Sequence, residues 1–337
     1  MSSCVASFFS TERPATIASV VSFDHVSLFL RTGDRELRVV RDVSFAINPG
    51  EFFALVGESG SGKTVIGRSI MRLYPPSMLR VEGSMHLGSI DLATADRSVL
   101  RKIRGGRVGM IFQEPMTSLN PLMTVQEQID ETLRVHQQDG SKARRSRILE
   151  LLANVQFSNP NQVASMYPHE LSGGMRQRVV IAIALANNPA LIIADEPTTA
   201  LDVTIQQEIM EILLRLRDLY GLSVLFISHD LSLVYRYADR VGVLYGGVIM
   251  ETGRARDVIR SPAHPYTRAL LDCVPRERNG GQRQVGIEGM VPWIDNWFPG
   301  CRFAPRCPQR RDNCTVEDIP EAELNEERRA RCLYPLG

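Results

Sequence analysis

The sequence predicts an α/β fold built on a largely parallel sheet, and three observations lead there. Between Leu191 and Leu244 short apolar strands alternate with helical patterns, the arrangement that parallel sheets require. A glycine-rich stretch, Gly57-Glu58-Ser59-Gly60-Ser61-Gly62-Lys63-Thr64, sits between an apolar run and a helical one. A second buried-type strand, Leu191–Ala194, ends in two adjacent carboxylates, Asp195 and Glu196. In open α/β sheets the carboxyl ends of strands are where ligands bind.

Val20–Arg31 and Leu37–Ile47 show partial alternation, and Glu51–Val56 is an apolar run that stops at a glycine, so residues 20–56 read as β-rich. From Lys63 to Leu73 the apolar spacing turns helical. Gly83–Leu87 and Arg107–Phe112 read as strands. Thr124–His136, Lys142–Asn154 and Gly173–Ala186 read as helices, an insertion at about 120–185 between the sheet halves. Then come strand Leu191–Ala194, helix Val203–Tyr220, strand Ser223–Ile227, helix Leu231–Ala238 and strand Val241–Leu244. Beyond Ser261 the composition changes. Residues 275–300 carry eight prolines and glycines with little periodicity, the pattern of a linker.

The chain has 337 residues, a net charge of +1 and 44% hydrophobic residues, which suits a cored globular protein and offers no basic surface for nucleic acid. Met1–Ser19 lacks the features of a signal peptide and reads as a flexible start. The longest uncharged apolar stretch, Val179–Ala194, is broken by Asn187-Asn188-Pro189, well short of the ~20 residues that span a bilayer. A cytosolic location is expected, with any membrane role exercised through a partner that spans it.

The glycine-rich stretch fits G-x-x-x-x-G-K-[ST] in the required strand–loop–helix context. Its glycines let the backbone wrap phosphates, and its N–H groups and the helix N-terminus supply positive field. Lys63 is expected to reach the β- and γ-phosphates of a nucleotide, and Thr64 to place its hydroxyl on Mg²⁺. Asp195 is expected to hold Mg²⁺ through water. Glu196 is expected to orient or deprotonate the attacking water.

Leu171-Ser172-Gly173-Gly174-Met175-Arg176-Gln177-Arg178 resembles the LSGGQ signature of ATP-binding-cassette (ABC) ATPases, with Met175 in place of the glutamine. Other motifs of that family follow in order. Gln113 stands in Ile111-Phe112-Gln113-Glu114-Pro115 like a Q-loop, Ala200-Leu201-Asp202 resembles a D-loop, and Ile227-Ser228-His229-Asp230 a switch-histidine loop. The resemblance covers residues 20–275. It implies a phosphate-loop NTPase core with a RecA-like parallel sheet, an N-terminal antiparallel β subdomain and a helical signature subdomain.

It also implies roles. Phe29 would stack on adenine, Gln113 would sense Mg²⁺ and the water, and His229 would contact the γ-phosphate. Ser172, Gly173 and Gly174 would close over ATP held by a second ABC ATPase in a head-to-tail dimer, and Asp202 would cross that interface. Phe112–Pro121 and Ser261–Leu270, with its His264-Pro265-Tyr266-Thr267, resemble the branch that imports dipeptides, oligopeptides and nickel, and within it the D-type ATPase. The resemblance thus implies a paralogous F-type ATPase, two integral-membrane permeases and an extracytoplasmic solute-binding protein as partners, on the cytoplasmic face of the inner membrane. The solute is a peptide on this reading, with nickel, opines or another small solute as alternatives.

A soluble ABC ATPase acting on DNA or ribosomes is the remote alternative. Only 58 residues separate Gln113 from Ser172, without a heptad run, which leaves no room for a long coiled coil. Residues 276–331 balance ten arginines with ten acidic residues, so no nucleic-acid partner is expected.

Four of six cysteines fall at the end: Cys301, Cys307, Cys314 and Cys332. Residues 276–337 therefore read as a separate, irregular Cys-rich extension. The spacing lacks the close pairs of a structural zinc site and permits a 4Fe–4S cluster; zinc and unliganded thiols stay open. Gly300–Pro308 resembles the terminal motif of peptide-importer ATPases, and that resemblance implies 4Fe–4S. Cys4 and Cys273 read as ordinary thiols.

Overall fold

The structure is a computed structural model and describes residues 19–113, 118–136, 139–199, 201–274, 286–292, 298–316 and 319–336. The expected flexible start (1–18, with Cys4), Glu114–Thr117 of the Q-loop region, Ala200 and most of the expected linker lie outside these residues.

Two sheets organise the chain. The first is antiparallel: β1 (Val21–Thr32) pairs with β2 (Arg35–Ile47) and β4 (Leu79–Leu87), and β4 with the short β5 (Ile90–Asp91). The second holds β3 (Phe52–Val56), β6 (Val108–Ile111), β7 (Leu191–Asp195), β8 (Ser223–Ser228) and β9 (Arg240–Tyr245) in parallel, in the order β9-β3-β8-β7-β6.

The central strands are apolar throughout because both faces are covered. Every residue of β3 is buried, and alternate residues serve different cores. Phe52, Ala54 and Val56 join Val224 and Phe226 of β8 on the face that meets the helical insertion. Phe53 and Leu55 join Leu225 and Ile227 on the face that meets the antiparallel sheet. The period of two thus welds three layers. Each fully buried Phe or Leu contributes roughly 1.5–3 kcal/mol by area.

The helices are α1 (Lys63–Ile70), α2 (Arg97–Ile103), α3 (Val125–His136), α4 (Ser141–Asn154), α5 (Pro160–Ser165), α6 (Gly173–Leu185), α7 (Val203–Tyr220), α8 (Leu231–Tyr237), α9 (Ala255–Arg260) and α10 (Pro265–Asp272). Helices α3–α6 form the insertion, where Ile129, Leu133, Leu151, Leu152 and Val180 pack together. The sequence pattern places the longer elements within a few residues. It misses α2, α5 and α9, which are too short to show a period.

The chain's end departs from the irregular extension expected. Strand β10 (Val248–Arg254) pairs with β9, and a hairpin of β11 (Ala322–Asn325) and β12 (Arg328–Ala330) adds to β10, so the extension completes the main sheet. These strands are short, and Glu251, Arg328 and Arg329 hide their β pattern. Glu251 has no exposed surface. Its carboxylate accepts from Arg328 Nη2 (2.6 Å) and Nε (3.1 Å), and from the backbone of Ala263 (3.0 Å) and His264 (2.9 Å). A buried charge is tolerated only when paired and hydrogen-bonded this fully.

Candidate active site

The phosphate loop leaves β3 and enters α1. Gly57 is dictated by space: a Cβ there would stand 2.0 Å from the carbonyl oxygen of Leu244 on β9. Lys63 is buried and its ammonium donates to the carbonyls of Gly57 (2.8 Å) and Glu58 (2.9 Å). Burial lowers its pKa, while Glu196, Asp195 and Glu58 act in the opposite sense. The cation therefore sits at the floor of the loop among three carboxylates, the position from which it can meet an incoming polyphosphate.

Asp195 ends β7 with 1% exposure. Thr64 Oγ1 donates to its Oδ1 at 2.9 Å, whereas Oδ2 is buried with no hydrogen bond among the described residues. Burial raises the pKa of this carboxyl, and the Thr64 bond and the Arg68 and Lys63 charges oppose that shift. A hydroxyl beside an unsatisfied buried carboxylate is a donor set that fits Mg²⁺.

Glu196 follows at φ 49°, the left-handed region, which costs an ordinary residue roughly 1–2 kcal/mol. That turn brings its carboxylate to three partners. Gln113 Nε2 donates to Oε2 at 3.1 Å, Thr199 Oγ1 donates at 3.0 Å, and His229 Nδ1 lies 3.5 Å away. Gln113 comes from the end of β6 and His229 from the end of β8, so residues distant in sequence converge because their strands are neighbours of β7. A cavity of about 650 Å³ opens over them, lined by Ser59–Thr64, Gln113, Glu196 and His229, with Leu30 and Val39 on its wall. Thr199 escaped sequence reasoning, although its place three residues after Glu196 is the signal that could have found it.

Phe29 stands elsewhere. Its ring is buried, with Arg80 3.7 Å and Arg38 5.0 Å from its centroid. Strand alternation turns the next residue, Leu30, to the cavity and Phe29 to the opposite face. The adenine-stacking expectation is thereby corrected: Phe29 packs under two guanidiniums.

Ser172, Gly173 and Gly174 lie away from this cavity, at the start of α6. Ser172 caps the helix through Met175 N (3.3 Å), and Ser172 and Gly173 are exposed. Gly174 is required by packing, since a Cβ would meet Ile205 of α7 at 2.9 Å. Asp202 is likewise exposed and caps α7 through Ile205 N (2.9 Å).

The four cysteines gather at a separate small cavity that also touches His264, Ile319 and Tyr334. Burial pushes the Cys301 thiol up to about 12 and raises Cys307 and Cys332. Backbone N–H groups point at three of the sulfurs: Phe303 and Ala304 at Cys301, Gln309 at Cys307, and Tyr334 at Cys332 (3.4 Å). Among the described residues no group of three or more His, Cys, Asp or Glu side chains is placed to hold a metal ion, and no helix is long and apolar enough to cross a membrane.

A phosphate loop, an Asp-Glu pair ending the nearby β7, and amide and imidazole side chains meeting over them define an ATPase of the phosphate-loop class. The ABC transporter family profile matches residues 40–199, and that of the oligopeptide/dipeptide transporter C-terminal region matches residues 250–314. The chain is 46% identical over 319 residues to a Brucella ovis ATP-binding protein assigned to peptide import, covering 90% of this chain and 93% of that one. It is 44% identical over 318 residues to the oligopeptide transport ATP-binding protein AppD of Bacillus subtilis, covering 94% and 97%. The fold is similar to the dimeric post-hydrolysis ATP-binding cassette MJ0796 bound to ADP and Pi, at a TM-score of 0.62 and 33% identity, over 70% of this chain and 99% of that one. The chain belongs to the ABC transporter ATP-binding proteins, in the oligopeptide/dipeptide importer family.

Proposed function

We propose that this chain binds and hydrolyses MgATP to drive import of peptides through membrane permeases. One observation carries the reading: Lys63, Thr64, Asp195, Glu196, Gln113 and His229, spread over 167 positions, meet at the carboxyl edge of one sheet. Thr64 and Asp195, with Gln113 beside them, would hold Mg²⁺, which would supply charge neutralisation at the phosphates. Lys63 binds the polyphosphate. Glu196 orients the attacking water and takes its proton, Gln113 and Thr199 fix the carboxylate, and His229 reaches toward the terminal phosphate.

Ser172 and Gly173 are exposed at a helix start outside the cavity, which supports their use on ATP held by a second ATPase, with Asp202 near that interface. The relatives' assignment to peptide transport supports the remaining assembly: a paralogous F-type ATPase, two permeases that hold the pair at the cytoplasmic face of the inner membrane, and an extracytoplasmic binding protein. Cys301, Cys307, Cys314 and Cys332 would hold a 4Fe–4S cluster, which supplies a cross-link for the extension. Anaerobically purified protein is expected to be brown with about four irons per chain; colourless, iron-free protein would remove the cluster.

Glu196→Gln tests the core of the reading. Removing the base is expected to lower hydrolysis by 10²–10⁴-fold while ATP stays bound and the two ATPases stay together. Wild-type turnover would remove Glu196 from its role. In cells, the same variant is expected to abolish uptake of labelled di- and oligopeptides, and loss of nickel uptake alone would move the solute to the nickel branch.

A further inference from the structure

The first turn of the phosphate loop is held from outside the cassette's own motifs. Glu58 is anchored at its N–H, its carbonyl and its carboxylate. Its backbone N–H donates to Tyr266 Oη at 2.9 Å, its carbonyl accepts from Lys63 Nζ at 2.9 Å, and both carboxylate oxygens accept from Arg306 Nη1 at 3.0 Å. Tyr266 belongs to α10 and Arg306 to the cysteine-bearing extension, immediately before Cys307.

Neither partner has room to move. The Arg306 side chain is 5% exposed. Its other N–H groups donate to Ile287 O (2.9 Å) and Glu288 O (2.8 Å), and Nη1 also reaches Tyr245 Oη (3.2 Å). Tyr266 has no exposed surface, and its ring packs 4.5 Å from Tyr245 and 5.2 Å from Phe303, centroid to centroid. Phe303 in turn lies two residues after Cys301. A rigid wedge from the extension therefore ends on one residue of the phosphate loop.

The charge of that residue matters to the site. The Glu58 carbonyl accepts from the Lys63 ammonium, and the Glu58 carboxylate charge acts on that ammonium. An unpaired carboxylate at the loop would oppose an incoming triphosphate; the Arg306 guanidinium neutralises it and fixes where the Glu58 carbonyl holds Lys63.

We infer that Arg306 and Tyr266 are positioning residues for nucleotide binding: by clamping Glu58 they set the shape and charge of the phosphate loop, which makes the cysteine-bearing extension part of the nucleotide site. The inference rests on the reading of Gly57–Thr64 as the MgATP site.

The experiment is a double-mutant cycle in the full-length chain, with MgATP affinity measured by calorimetry and unfolding followed without nucleotide. Arg306→Met exposes the Glu58 charge and is expected to weaken MgATP roughly tenfold, as removal of one partner from a largely buried ion pair does. Glu58→Gln is expected to stay within about threefold of wild type. The double variant is expected to match Glu58→Gln alone, because no charge remains to neutralise. Tyr266→Phe removes the acceptor for the Glu58 N–H and is expected to raise KM severalfold with kcat retained.

A tenfold loss that persists in the double variant would make Arg306 a support of the extension and overturn the inference, as would Arg306→Met affinity within twofold of wild type. If Arg306→Met does not fold, Arg306→Lys, which keeps the charge and removes the guanidinium, serves instead: intermediate affinity restored by Glu58→Gln supports the clamp, and unchanged affinity overturns it. Lys63→Ala separates the two levels, since unimpaired MgATP binding in that variant would overturn the site itself.

Discussion

The nucleotide cavity and the cysteine lobe are both attached to the same sheet, yet they manage buried polarity in opposite ways. Around the phosphate loop, the buried Lys63 cation bonds the carbonyls of Gly57 and Glu58 and is acted on by the charges of Glu196, Asp195 and Glu58. In the cysteine lobe, Cys301, Cys307, Cys314 and Cys332 are partly buried around one small cavity, and burial raises the Cys301, Cys307 and Cys332 thiols. The first arrangement stores unmet electrostatic demand, visible at Asp195 Oδ2, which suits a ligand that arrives and leaves. The second turns backbone N–H groups toward three of its sulfurs, which suits a permanent structural element.

One charge network of the lobe, Glu251 with Arg328, lies at the sheet it joins. There the ionic group is fully satisfied, and its role is attachment. Function and attachment thus use the same chemistry with different completeness of pairing.

The largest expected break in this comparison comes from Lys63→Ala. It removes the cation from the nucleotide cavity and leaves Asp195 and Glu196 without its charge. MgATP affinity should fall by at least about 100-fold, the scale set by a charge-assisted bond to phosphate in a buried site. The thiol lobe should be untouched, so the unfolding temperature without nucleotide should stay near wild type. A large drop in that temperature would mean that Lys63 holds the fold through its bonds to Gly57 and Glu58, and the contrast between the regions would narrow.

Glu251→Ala should do the reverse. It strands Arg328 and frees two backbone N–H groups, Ala263 and His264. Breaking a buried pair from one side costs about 3–5 kcal/mol, enough to lower the melting temperature by roughly 5–10 °C in a chain of this size. ATP hydrolysis by the surviving folded protein should change far less. Limited proteolysis is the second readout: cleavage should begin after β10. A melting point unchanged within error would show that the hairpin of β11 and β12 is held by packing alone.

The two regions also differ in how much of them a sequence displays. The phosphate loop, Asp195-Glu196 and the signature are local strings whose chemistry needs neighbours in sequence, so Gly57–Thr64 and the end of β7 could be placed residue by residue. Gln113 and His229 were legible only through their resemblance to the Q-loop and switch-histidine motifs of the family. The attachment of the lobe was not, because Glu251 pairs with Arg328 and Glu58 with Arg306, across 77 and 248 positions, and no local pattern marks such pairs. Short strands carrying charged residues, such as β12, likewise defeat a periodicity test. Phe29 failed for a different reason. Its residue type was right for stacking, but the face it occupies depends on strand register, and one step of register exchanges Phe29 for Leu30.

That exchange gives the smallest and sharpest prediction. If Leu30 lines the nucleotide cavity and Phe29 lies beneath Arg38 and Arg80, then Phe29→Leu should leave MgATP affinity within about twofold, since the ring touches no part of the cavity wall. Its cost should appear in stability instead, at about 1 kcal/mol for the missing ring packing and cation–π attraction. Leu30→Ala should weaken MgATP a fewfold, by the apolar area it removes from beneath a base lying on the wall. Parallel calorimetric titrations of the two variants decide between the faces. Weakened binding in Phe29→Leu with unchanged binding in Leu30→Ala would return the stacking role to Phe29, and would require β1 to shift by one residue against β2 when nucleotide binds.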